Sequence, residues 1–328
     1  MRAVYIDEFG SADNLSLRDV PQPAEPIGRD VLVRVYAAGL NRADLLQIRG
    51  AYPPPPGISP NIPGLEFAGE IVAVGAEVTD RKVGNRVFGI AAGEAQAEFL
   101  ISDERLLAPI PAELSFTEAA AVPEAFITAQ DAIFTLGKLR SGGTLLIHAV
   151  GSGVGLAGLQ LAKAYGCRVI GTSRTQSKLD RCVELGLDDG ICTGDAIDFA
   201  AKIQEITGGR GADVILDLVG AAFLDQNLKS LALKGRLILV GLTSGRTAEL
   251  DLGMALRKRA RIIGTVLRSR SIEERSDATK RFSADVVPLI ESGAIRPFLD
   301  KAYPAAAVID AYKYLESNES FGKVVLEF

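Results

Sequence analysis

A run of small residues with the spacing Gly153-Val154-Gly155-Leu156-Ala157-Gly158 follows the apolar stretch Leu145 to His148 and opens a long segment of helical apolar periodicity. In the order strand, tight turn, helix, such glycines let the backbone approach a pyrophosphate, and the first N–H groups of the helix supply the partial positive charge that holds it. Ala149, Ser152 and Gly155 keep a looser small-residue spacing over the same turn, so Ser152 joins Gly153, Val154 and Gly155 as candidate cofactor contacts. A glycine turn that merely packs a helix on a strand would look the same, and the sequence alone leaves that alternative open.

Roughly 20 residues further on, at the end of the second strand, an NAD site places Asp or Glu to bind the ribose hydroxyls. This chain reads GTSRTQSK there, from Gly171 to Lys178, with no carboxylate. The Ser173 hydroxyl, Arg174 and, one helical turn later, Lys178 suit an added 2′-phosphate, which needs donors and positive charge. The cofactor expected is NADPH; the alternative is that Arg174 and Lys178 are solvated charges at a helix start.

Other chemistry is thinly supplied. The single histidine, His148, falls at the first strand of the alternating region and is expected to be buried and structural, which leaves no Ser-His-Asp arrangement. Cys167, Cys182 and Cys192 have neither the close pairing of a metal knuckle nor the even count of a disulfide framework, and are read as reduced structural thiols. A net charge of −5 argues against a nucleic-acid partner, and the short basic stretch LRKRARIIG reads as a solvated helix end. No apolar stretch reaches the roughly 18 residues needed to span a bilayer, so no membrane partner is expected. The opening MRAVYIDEFG alternates like a strand and lacks the pattern of a signal peptide, which suggests a cytoplasmic protein.

These groups need elements to place them. With 328 residues, 48% of them hydrophobic, two domains are expected. Up to about Pro111, β-type alternation and turn residues predict a compact, partly barrel-like β-rich domain. Ser115 to Lys138 is helical in pattern. From Gly143 onward, unbroken Val/Ile/Leu strands alternate with amphipathic helices, the mark of a parallel sheet covered on both faces. The fold class is thus α/β, with a doubly wound nucleotide-binding domain of Rossmann type. A charged helix is predicted over Ser271 to Glu291, and the closing strand in GKVVLEF, having no place in the parallel sheet, is expected to return to the first domain.

The segments AAGLNRADLLQIRGAYPPPPG, PGLEFAGEIVAVG, AAAVPEAFITAQDAI, LIHAVGSGVG and GKVVLEF together resemble the medium-chain dehydrogenase/reductase superfamily, in its zinc-free quinone oxidoreductase branch, over essentially the whole chain. YPPPPG and LRSR add a likeness to the p53-inducible type within that branch. The resemblance implies a GroES-like catalytic domain made of residues 1–122 and 268–328, an inserted Rossmann NADP(H)-binding domain of residues 123–267, and a homodimer through the Rossmann sheet edge. At the three places where zinc-dependent relatives hold their metal, this chain has Asn41, Leu65 and Glu124, so no metal is expected.

The same resemblance implies roles. Asn41 lies near the nicotinamide, where its amide bonds the ribose, the carboxamide or the substrate carbonyl; Tyr52, stiffened by Pro53 to Pro56, covers the quinone and offers its hydroxyl; Asp44 orients the Asn41 segment. These three form the implied catalytic set. Thr128 faces the nicotinamide end, flanked by Val240, Gly241, Val266 and Leu267, while Ser152 reaches the pyrophosphate or the ribose. Thr193 stands where many relatives have a Tyr beside the adenosine phosphate, and Lys323 matches a basic position near the C-terminus, counted here with the cofactor contacts. The implied reaction is NADPH-dependent reduction of a quinone by direct hydride transfer without metal. The alternatives are an enoyl or 2-alkenal reductase, taking a conjugated carbonyl, and a non-catalytic RNA-binding protein of the crystallin-like kind. The intact glycine turn and the negative charge stand against the last.

Overall fold

The computed structural model describes residues 1–194 and 198–328. The chain divides into two compact units, one built from Met1–Ile127 with Leu267–Phe328 and the other from Thr128–Val266.

The Thr128–Val266 unit carries a six-stranded sheet in which every neighbouring pair of strands is parallel. From edge to edge it runs Asp189–Cys192, Arg168–Ser173, Thr144–Ile147, Ala212–Asp217, Leu231–Leu239, Arg261–Gly264. All four residues of Thr144–Ile147 are buried, as a strand covered on both faces requires. Helices Gln176–Glu184 and Phe199–Ile206 turn their apolar positions inward, Leu179 and Cys182 from the first, Phe199 and Ile203 from the second. Phe199 and Ile203 share a core with Leu146, Ile170, Ile215 and Leu237 of the strands. The strand order reverses between Thr144–Ile147 and Ala212–Asp217, the switch point at whose C-terminal end doubly wound folds take their ligands. The chain turns over His148–Gly151 directly after Ile147, and helix Gly153–Ala164 then opens on the glycine run. His148 lies just past the strand rather than within it.

The other unit is a largely antiparallel β structure. Its main sheet runs Leu299–Pro304, Lys323–Glu327, Asp30–Gly39, Glu66–Val74, Arg86–Ile90, Leu107–Pro109, and Phe99–Asp103 also pairs with Asp30–Gly39. The closing strand sets Val325 opposite Gly39 and Leu326 opposite Ala38, antiparallel. Burial drives that return: Val324 and Leu326 join Val4, Ile6, Leu40, Ile48 and Tyr312 in one apolar cluster assembled from both ends of this unit's chain. The helix predicted over Ser271 to Glu291 is two helices, Ile272–Asp285 and Val287–Glu291. Pro288 has no N–H to donate back into the first helix, so it starts a new one.

Candidate active site

Three buried charged side chains of the Met1–Ile127, Leu267–Phe328 unit, Asp44, Glu66 and Lys323, surround Asn41. This residue precedes helix Arg42–Ile48, and its backbone N–H donates to Asp44 Oδ2 at 2.8 Å, so a carboxylate of the first turn fixes the helix start. The Asn41 side chain is held from both sides. Its Oδ1 accepts from Lys323 Nζ at 2.7 Å, while its Nδ2 donates to Glu66 Oε1 at 2.9 Å and to the Gly39 carbonyl at 3.4 Å. An ammonium can only donate and a carboxylate can only accept, so these neighbours dictate the orientation of the amide. What remains to a ligand is one lone pair on Asn41 Oδ1.

Glu66 is the hub. Fully buried, it meets Lys323 Nζ at 2.5 Å and receives the Glu124 N–H on Oε2 at 2.8 Å. Gly39 makes room for it, since a Cβ there would fall against Glu66 Oε1 and the Ala120 carbonyl. Lys323 also donates to the Leu40 carbonyl at 2.7 Å, so its three N–H groups are matched by three acceptors of this unit. Counted with the cofactor contacts from the sequence, Lys323 has its donors engaged in holding Asn41 and Glu66. Burial pushes the Asp44 carboxyl up to about 6. Burial, with the Glu66 carboxylate next in weight, pushes Glu124 up to about 8, so Glu124 carries its proton at neutral pH. Asp44 is wholly buried, and it meets Asn41 through that residue's backbone N–H.

Tyr52 is half-buried, and its hydroxyl has no hydrogen-bond partner among the described residues. Burial raises its pKa, against the opposing pull of Arg268. Arg268 lies with its guanidinium carbon 4.8 Å from the centre of the Tyr52 ring.

In the Thr128–Val266 unit, Ser152 caps helix Gly153–Ala164 by accepting from Gly155 N at 3.2 Å. Gly153 and Val154 N–H have no acceptor among the described residues, which leaves two donors at a helix N-terminus for an anion. Gly155 is demanded by packing, because a Cβ would meet the Val150 carbonyl at 2.5 Å. At the end of Arg168–Ser173, Ser173 is buried, Arg174 exposed and Lys178 half-buried. The Thr193 hydroxyl donates to the Ser173 carbonyl at 3.2 Å, which holds the strand end in place. Val240 and Gly241 N–H both donate to the Asp217 carbonyl, at 2.9 and 3.1 Å. Thr128 is buried, while Val266 is exposed at the end of this unit and Leu267 opens the returning segment of the other.

His148 is buried between Phe199 and Phe223. Its Nε2 meets Asn227 Oδ1 at 2.6 Å, its Nδ1 meets Thr172 Oγ1 at 2.9 Å, and Asn227 Nδ2 donates to Asp217 Oδ2 at 2.9 Å. With the Asn227 amide set by Asp217, the proton of a neutral imidazole sits on Nε2, and burial lowers the ring's pKa.

Sequence reasoning passed over Glu66, Gln47 and Arg268. The signal for Glu66 was a carboxylate at the head of a strand whose next three residues, Phe67, Ala68 and Gly69, are uncharged and all buried, since carboxylates are rarely buried without a partner. Arg268 lies in the LRSR segment already picked out for its likeness, but nothing local marked its side chain for burial.

Comparison with known proteins supplies the class. Residues 28–129 match the family described as "Alcohol dehydrogenase GroES-like domain" and residues 153–284 the one described as "Zinc-binding dehydrogenase". The chain belongs to the medium-chain dehydrogenase/reductase superfamily and is an oxidoreductase of that family. It is 32% identical to the quinone oxidoreductase of Rattus norvegicus, over 99% of this chain and 97% of that protein. Among solved structures it is similar to mycobacterial Rv1454c complexed with NADPH, with a TM-score of 0.90, 30% identity and 100% of both chains covered. It is also similar to the CurK enoyl reductase, with a TM-score of 0.86, 26% identity, and 99% of this chain and 98% of that chain covered.

The second family description raises the question of zinc, and the residues do not fit it. Leu65 has no donor atom, the Asn41 amide is engaged by Lys323 and Glu66, and the nearby Lys323 ammonium already balances the buried carboxylate. Among the described residues no three His, Cys, Asp or Glu side chains converge on a metal position.

Proposed function

We propose that the protein is an NADPH-dependent quinone reductase that works by direct hydride transfer without a metal. The observation that carries the reading is the locked Asn41 amide. Where metal-dependent relatives need a ligand, this chain presents one hydrogen-bond acceptor held by Lys323 and Glu66. Such a site positions a cofactor and does little to polarise a substrate, which suits an acceptor that already draws electrons, such as a quinone. Full-length likeness to a quinone oxidoreductase supports the same substrate class.

NADPH supplies the hydride. In this reading the Gly153 and Val154 N–H groups take the pyrophosphate, Ser152 shapes that turn, and Ser173, Arg174 and Lys178 take the 2′-phosphate. Thr193 holds the strand end that carries Ser173. Thr128, Val240, Gly241, Val266 and Leu267 are assigned to the nicotinamide end, and Asn41 Oδ1 accepts from a ribose hydroxyl or from the carboxamide N–H. Because both N–H groups of the Asn41 amide are spent, it does not donate to the substrate carbonyl. Tyr52 covers the quinone, and its hydroxyl, unpaired among the described residues, hydrogen-bonds a quinone oxygen. Asp44 and Lys323 act as positioning residues for Asn41. Ile262, exposed on the edge strand Arg261–Gly264, supports a homodimer formed at that edge. The cysteine pattern agrees with a cytoplasmic setting.

Likeness to the CurK enoyl reductase gives a second reading, hydride delivery to the β-carbon of a conjugated carbonyl. Following NADPH oxidation with 1,4-benzoquinone and with a 2-alkenal decides between them. The quinone should give the higher kcat/KM; a preference for the alkenal transfers the assignment to the second reading, and no oxidation with either defeats both.

A further inference from the structure

Arg268 is the second residue of the chain's return to the unit that holds Tyr52, and it is 5% exposed. All three guanidinium nitrogens are used. Nε donates to the Ala92 carbonyl at 2.7 Å, one Nη to the Tyr52 carbonyl at 3.0 Å, and the other Nη to Gln47 Oε1 at 2.6 Å. Gln47, itself buried on helix Arg42–Ile48, passes the restraint on, since its Nε2 donates to the Pro60 carbonyl at 2.9 Å. The segment from Tyr52 to Pro60, with the four prolines Pro53 to Pro56, is therefore tied at its first residue by Arg268 and at its last by Gln47. The two ties meet in one hydrogen bond. The guanidinium also lies over the Tyr52 ring, so a single side chain restrains both the backbone and the ring of that residue.

We propose that Arg268, acting with Gln47, is the positioning residue that sets Tyr52 for quinone binding. This rests on the assignment of Tyr52 to the quinone. A stiff proline segment transmits whatever its two ends impose, so fixing Tyr52 O and Pro60 O fixes the ring's position at small entropic cost to the bound state. The planar fork matters as well as the charge. A lysine at position 268 keeps a cation near the ring, but with all its donors on one nitrogen it does not span the acceptors that three separate guanidinium nitrogens meet.

The experiment compares Arg268→Met, Arg268→Lys, Gln47→Leu, Tyr52→Ala and the double variant Arg268→Met/Tyr52→Ala, with 1,4-benzoquinone as the probe at saturating NADPH, and titrates NADPH binding separately by its fluorescence. Arg268→Met should raise the quinone KM about tenfold or more, with kcat and the NADPH Kd within twofold of wild type. Arg268→Lys should recover part of that loss, and the double variant should be no worse than Tyr52→Ala alone, because both changes remove one function. A wild-type quinone KM in Tyr52→Ala overturns the assignment of Tyr52 and the inference with it. A raised KM in Tyr52→Ala beside a wild-type value in Arg268→Met overturns the positioning role alone, as do multiplying effects in the double variant or an equal loss of NADPH affinity. If Arg268→Met does not fold, Gln47→Leu decides, since it releases Pro60 and leaves the Arg268 bonds to Tyr52 and Ala92 in place; an unchanged quinone KM there overturns the joint restraint.

Discussion

Lys323 Nζ lies 2.5 Å from Glu66 Oε1, and both side chains are buried. The pair joins the closing strand to strand Glu66–Val74, which does not pair with it, and between them they orient the Asn41 amide. Removing one member of a buried pair strands the other charge, at a cost of about 3–5 kcal/mol. Lys323→Met should lose stability of that order in chemical denaturation, and its kcat should fall because the Asn41 amide loses the partner that fixes Oδ1. Adding Glu66→Gln should return part of the stability without returning kcat. Wild-type stability in Lys323→Met would show that the pair is not maintained in solution.

Cofactor choice is tested at Arg174, which is exposed and close in sequence to Ser173. A charge-assisted hydrogen bond contributes about 1.5–3 kcal/mol, or roughly 10- to 150-fold in affinity. Arg174→Ala should raise the KM for NADPH within that range at low salt and leave the NADH reaction nearly untouched, since NADH has no 2′-phosphate. Adding Lys178→Ala should deepen the effect. Equal use of NADH and NADPH by the wild-type protein would overturn the assignment.

Asp44 makes stability depend on pH. Its carboxyl is pushed up to about 6 from an ordinary value of 3.8, so the folded state holds this proton more tightly than the unfolded chain does. The contribution is complete below about pH 4 and is lost as pH rises through about 6. Asp44→Asn keeps an acceptor for the Asn41 N–H and removes the titration. The difference in Tm between pH 4 and pH 7 should therefore shift in favour of the higher pH in the variant, read by thermal melts of both proteins. Identical pH profiles would mean that Asp44 titrates normally.

Metal content follows from Leu65 and from the engaged Asn41. Elemental analysis of the purified protein should find zinc well below one per chain, and dialysis against a chelator should leave quinone turnover unchanged. One tightly held zinc per chain, with activity lost on its removal, would overturn the metal-free reading.

Much of the scaffold was legible because its determinants are local. Apolar runs separated by amphipathic segments, and a glycine turn between Ile147 and Leu156, specify strand, turn and helix wherever they occur, since periodicity and backbone freedom are properties of neighbouring residues. The absence of a carboxylate after Thr172 was equally plain, and so was the replacement of a donor by Leu65. Local pattern misled at Pro288, where helical periodicity continues across the residue but the backbone hydrogen bonding does not.

What the tertiary structure decided is which donors meet which acceptors. Asn41, Glu66, Glu124 and Lys323 are far apart in the chain, Asn41 being 25 residues from Glu66 and 282 from Lys323. Only the return of the closing strand brings the ammonium to the amide, and that return is driven by burial of Val324 and Leu326 rather than by the charges it unites. The sequence named Asn41 and Tyr52, but not that the Asn41 amide would be left with a single acceptor, nor that Arg268 would tie Tyr52 down. Hydrophobic periodicity is written residue by residue, whereas a hydrogen bond across 282 positions exists only once the chain between its ends has folded.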